Sequence, residues 1–134
     1  MKYLLDTNVL SDLIRNPRSS PVTSRIAAVG EHAVLTSPFV ACELRYGAIK
    51  KDSSRLAAAV DALLQRLVVA DIDTNALVHT YARARADLER AGEPIGAMDL
   101  LIACHALSLG CVVVTRNRRE FSRVHGLAVE NWLD

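Results

Sequence analysis

Aromatic residues are scarce in this chain, with one Trp, three Tyr and two Phe among 134 residues. Base stacking on aromatic platforms is therefore a minor theme in any nucleic-acid contact. A dominant charge is also missing. The 16 Lys and Arg against 15 Asp and Glu leave a formal charge of +1, which argues against a strongly basic coat but leaves a local patch open. The three cysteines, Cys42, Cys104 and Cys111, are odd in number, lack CxxC spacing and have apolar neighbours. They predict reduced core residues of a cytoplasmic protein rather than a disulfide scaffold. Asp6 interrupts the N-terminal MKYLLD too early for the apolar region of a signal peptide. No apolar run reaches the roughly 18 to 20 residues of a membrane helix. With 51% hydrophobic residues, positions 1–134 read as one soluble domain with a substantial core.

Four short apolar runs are present, at 3–5, 33–35, 67–70 and 112–114. Each is continuous rather than alternating, the pattern of strands buried on both faces of a parallel sheet. A weaker strand is expected at 127–129. Helical patterns separate the runs. Ser37 and Pro38 form an N-cap and first-turn proline that open a helix to about Lys50. Leu56, Ala59, Val60, Leu63, Leu64 and Leu67 lie on one helical stripe. Asp73 or Thr74 starts a third helix with Leu77, Tyr81, Ala84, Leu88 and Ala91 inward, stopped by Gly92. A fourth runs from about Ala97 to Leu109 and ends at Gly110. The segment NPRSSP at 16–21 is the one stretch expected to be flexible. The alternation predicts an α/β fold: a three-layer domain whose central, mostly parallel sheet is flanked by helices.

In open α/β sheets the working site lies beyond the carboxyl ends of the strands. The first strand there delivers Asp6, followed by Thr7 and Asn8. The second leads into the helix carrying Glu43, and VVV ends at Thr115, two residues before Asn117. Asp99 opens a helix that is otherwise apolar, where an uncompensated carboxylate is costly. Each has an ordinary alternative. Asp6 can be a turn or cap residue, Glu43 a solvated helix position, Asp99 a first-turn acid suited to the helix dipole, and Thr115 and Asn117 turn residues. The joint pattern favours a crevice lined by Asp6, Glu43, Asp99 and Asn117.

Crowded carboxylates repel, and a cation relieves the repulsion. Hard magnesium or manganese prefers oxygen donors and leaves room for substrate phosphate, which favours phosphodiester hydrolysis. The four histidines show no metal-ligand spacing, and no thiol–histidine pair is evident. Arg116, Arg118, Arg119 and Arg123 follow Thr115 closely, and guanidinium forks match phosphate geometry.

The stretches LLDTNVLSDL (4–13), SPFVACELRYG (37–47), PIGAMDLLIACHALSLG (94–110) and VTRNRREFSRVHGL (114–127) together resemble PIN-domain ribonucleases of the VapC toxin type. The resemblance implies a metal-dependent endoribonuclease that arrests translation until a cognate antitoxin covers it, commonly as a homodimer. It assigns Asp6, Glu43 and Asp99 to the family's three acids, all metal-ligand candidates with Asp6 and Asp99 the usual metal-contacting pair, and Thr115 to the hydroxyl that steadies them. Asn117 stands where many PIN domains carry a fourth acid, which favours one tightly held magnesium over two. The blocks at 94–110 and 119–127 also resemble the subgroup that cuts initiator tRNA in its anticodon loop. Two other readings compete. A haloacid-dehalogenase-like phosphatase would use Asp6 as nucleophile, but the second aspartate of its D-x-D pattern is absent. A degenerate PIN domain would only bind RNA or protein, yet all three acids are present.

Overall fold

A computed structural model describes all residues from 1 to 134. In chain order the elements are β1 (Tyr3–Leu5), α1 (Thr7–Arg15), α2 (Pro21–Val29), a 3-10 turn (Glu31–Ala33), β2 (Val34–Thr36), α3 (Pro38–Lys50) and α4 (Ser54–Arg66). They continue with β3 (Val68–Val69), α5 (Thr74–Arg90), α6 (Ala97–Leu109), β4 (Val112–Val114), α7 (Arg118–Phe121) and β5 (Val129–Glu130). The five strands form one sheet in the order β3-β2-β1-β4-β5, and every pairing is parallel. Helices flank it, giving the α/β architecture anticipated from the alternation. No helix is long and apolar enough to cross a membrane.

Local chemistry accounts for most boundaries. Side-chain oxygens of Asp6, Ser20, Ser37, Ser53 and Asp73 accept backbone N–H groups at the starts of α1 to α5 in turn. Helix α6 lacks such a cap and ends on Gly110, whose φ of 68° is the left-handed conformation that glycine adopts freely. Its run from Ile102 to Ala106 is wholly buried, as a helix apolar on all sides requires.

Several boundaries and environments differ from expectation. Ala33 belongs to the 3-10 turn, so β2 starts one residue later, and β5 also starts later, at Val129. β3 is an edge strand, so Val68 is 62% exposed instead of buried on both faces. Leu67 caps α4 instead of extending it, and Ala91 is exposed beyond the end of α5. Cys42 is exposed, whereas Cys104 and Cys111 are buried. Buried Val40 and Leu44 share one face of α3, and residue 42, about 200° around the helix from Val40, points away from them. The 16–20 loop is pinned: Ser20 Oγ donates to Asp12 at 2.7 Å, and the Ser20 backbone N–H donates to the Asn16 carbonyl at 2.8 Å.

Candidate active site

The order of strands reverses between β1 and β4, and the carboxyl ends of these two neighbours bring Asp6 and Thr115 together. Asp6 serves two structures at once. One carboxylate oxygen caps α1 by accepting from the Thr7 N–H at 2.7 Å, and the other accepts from Thr115 Oγ1 at 2.8 Å. Only 3% of Asp6 is exposed, and burial holds its carboxyl above the ordinary range despite both bonds.

Thr115 extends the network. Its Oγ1 accepts from the Asn117 N–H at 3.0 Å, and Asn117 Nδ2 donates to Asp99 Oδ2 at 3.4 Å. A polar chain therefore joins Asp6, Thr115, Asn117 and Asp99, residues that span much of the sequence. Asn8 reinforces it from α1, its side-chain oxygen accepting from the Arg116 N–H at 3.0 Å. The loop between β4 and α7 is thus clipped to the start of α1.

Asp99 shows how tightly charge is gathered. Its pKa is pushed up to about 6, first by burial, then by the negative charges of Asp6 and Glu120, with Glu43 adding to them. The Asn117 bond works in the opposite direction. The negative charges of three other carboxylates therefore bear on Asp99. Glu120 is the member that sequence reasoning overlooked. It lies three residues after Asn117 in the first turn of α7, and its charge adds to the rise of the Asp99 pKa. The acid within RNRREF was the available signal, masked by the arginines around it.

The donors that gather here are carboxylate, amide and hydroxyl oxygens, without imidazole or thiolate. That set suits a hard divalent cation rather than zinc. No three His, Cys, Asp or Glu side chains stand close enough to form a finished cage, so the cluster is an open site. Its unrelieved mutual repulsion is the feature a cation would answer.

Arg116, Arg118 and Arg119 are exposed beside this edge. Arg123 is committed elsewhere: it donates to the Pro94 carbonyl at 3.0 Å and faces Glu93 at 3.7 Å. An apolar cleft of about 610 Å³ between α1, α2 and α4 shares no residue with the acids.

The PIN domain family matches residues 3–127. The tRNA(fMet)-specific endonuclease VapC of Salmonella typhimurium is 40% identical over 133 residues, 98% of each chain. Ribonuclease VapC2 of Haemophilus influenzae is 37% identical over 134 residues, 99% of each. Among solved structures, VapBC2 from Rickettsia felis, bound to a DNA fragment from their promoter, superposes with a TM-score of 0.86 at 33% identity, covering 98% of this chain and 99% of that one. This is the fold of a nuclease rather than of a haloacid-dehalogenase-like phosphatase, and the chain belongs to the PIN-domain family, among its VapC ribonucleases.

Proposed function

We propose that this chain is a magnesium-dependent endoribonuclease that cuts initiator tRNA and is restrained by a cognate antitoxin. The observation that carries the reading is the hydrogen-bonded chain Asp6–Thr115–Asn117–Asp99 at the sheet's switch point, whose two crowded carboxylates call for a cation. Nucleases of this family depend on divalent metal. Asp6 and Asp99 would hold the ion, with Glu43 and Glu120 adding negative charge nearby. When bound, it supplies Lewis acidity and neutralises the carboxylates during attack on phosphorus.

The protein's own groups do the rest. Glu43 orients the attacking water and accepts its proton. Thr115 fixes the Asp6 carboxylate by direct donation, and Asn117 fixes that of Asp99. Arg116, Arg118 and Arg119 neutralise phosphates of the RNA and set its register, while substrate shape supplies selectivity. Residues 1–134 act as one PIN unit and pair as a homodimer.

The relatives support the substrate and partner: two are named tRNA(fMet)-specific endonucleases, and the Rickettsia structure is of a VapBC pair. The test is pulse expression without antitoxin in a bacterial host, followed by sequencing of new RNA 5′ ends. Growth arrest with cuts confined to the initiator tRNA anticodon loop, both abolished by Asp6→Asn, is expected. Equal arrest by Asp6→Asn would remove the acid cluster from the mechanism, and cuts spread over many RNAs would remove the tRNA assignment.

A further inference from the structure

His105 lies on α6, six residues after Asp99, and is completely buried. Its two ring nitrogens reach two other parts of the fold. Nε2 lies 3.0 Å from the carbonyl oxygen of Asp71, in the segment leading to α5, and Nδ1 lies 2.8 Å from Ser37 Oγ. Phe39 of α3 packs edge-on against the ring, with centroids 6.1 Å apart. Ser37 is the N-cap of α3, six residues before Glu43, and its oxygen accepts the Phe39 N–H at 3.2 Å.

The proton positions in this network have one consistent solution. A carbonyl only accepts, so Nε2 carries the hydrogen and Nδ1 is the acceptor. Ser37 therefore donates to Nδ1 while accepting from Phe39. An imidazolium would place a second proton on Nδ1 and leave the Ser37 hydroxyl hydrogen without an acceptor, in a place water does not reach.

We propose that His105 is a positioning residue for the acid cluster: its neutral ring ties the helix bearing Asp99 to the capped start of the helix bearing Glu43. Neither α3 nor α6 is bonded to the other through backbone groups, because both are helices with internal ladders. Beside the apolar core they share, the buried Ser37–His105 bond is a directional tie between them. A sub-ångström slip between the helices changes the separation of Glu43 and Asp99, and nucleolytic chemistry is sensitive to displacements of that size.

The test separates positioning from plain stability by comparing two lost caps. Ser37 and Ser53 each cap a helix of 13 residues, but the Ser53 hydroxyl bonds only the Leu56 N–H of its own helix. Ser37→Ala, Ser53→Ala, His105→Asn and His105→Leu are prepared in the full chain. The Oδ1 of His105→Asn occupies the place of Nδ1 and keeps an acceptor for Ser37, whereas His105→Leu keeps bulk and loses both bonds.

Ser37→Ala and His105→Leu are expected to lower kcat on RNA about 10- to 100-fold with KM held within about twofold. Ser53→Ala leaves kcat unchanged at a similar loss of Tm, and His105→Asn recovers most of the turnover. Manganese affinity, measured by calorimetry without RNA, falls about tenfold in Ser37→Ala and not in Ser53→Ala. Equal kcat and equal metal affinity in the two cap variants would overturn the proposal. The turnover readout rests on the nuclease reading, whereas the metal readout does not. A wild-type chain that binds manganese yet cuts no RNA defeats that reading, and the two cap variants' metal affinities still decide the role of His105.

Discussion

Replacing Asp99 by asparagine should abolish RNA cleavage and at the same time stabilise the metal-free protein. The side chain is half-buried, and its pKa of about 6 stands against 3.8 for a free aspartate. At 1.36 kcal/mol per unit, an ionised Asp99 costs the fold roughly 3 kcal/mol before solvent screening. Partial exposure reduces this to about 1–2 kcal/mol. Asparagine removes the charge and keeps an oxygen for the Asn117 amide. The expected gain in Tm at pH 8, in excess chelator, is about 4 to 8 °C. The folded-state pKa lies above the unfolded one, so the cost is absent below about pH 3.8, grows as pH rises, and is complete above about pH 6. Wild type and variant should therefore converge in Tm near pH 4. Added magnesium should raise the wild-type Tm and leave the variant nearly unmoved. A variant less stable than wild type at pH 8 in chelator, or a gap independent of pH, would refute the idea that charge crowding dominates this site.

Thr115→Val keeps the shape of the buried side chain but removes the donor to Asp6. Chemical denaturation should show a loss of about 1 to 3 kcal/mol, accompanied by weaker cleavage. Arg118→Ala and Arg119→Ala should each raise KM for RNA and reduce the dependence of binding on salt by about one counterion. Arg123→Ala should leave that slope unchanged and lower Tm instead, because its guanidinium already holds Pro94 and Glu93. Alkylation followed by mass spectrometry should modify Cys42 rapidly in the native protein. Cys104, whose thiol is pushed up to about 11 by burial, and Cys111 should react only after denaturation.

The sheet and its helices were largely legible because continuous apolar runs and capping residues are local signals. Ser37-Pro38 and Gly110 marked helix ends that the structure reproduces. What escaped depends on neighbours far away in sequence. Residues 67–70 look like a buried strand, but only the sheet order puts β3 at an edge and exposes Val68. Cys42 sits among apolar residues along the chain yet points away from them around the helix. At the site, Asp6 both caps α1 and accepts from Thr115, so the cap reading does not exclude a place in the cluster. Glu120 was missed because its relation to Asp99 is spatial, and in sequence it reads as one charge in an arginine-rich turn. Arg123 shows the reverse: a residue grouped with the basic patch by sequence is spent on holding the 93–94 loop.

The most direct test of the central claim uses purified, antitoxin-free protein and total cellular RNA, with magnesium or with excess chelator, beside Asp99→Asn shown to be folded. Sequencing of new RNA ends is the readout. Discrete cuts that require magnesium and vanish in Asp99→Asn are the predicted result. Cuts that persist in chelator or in the variant, or no cuts by folded wild-type protein loaded with magnesium, would contradict it.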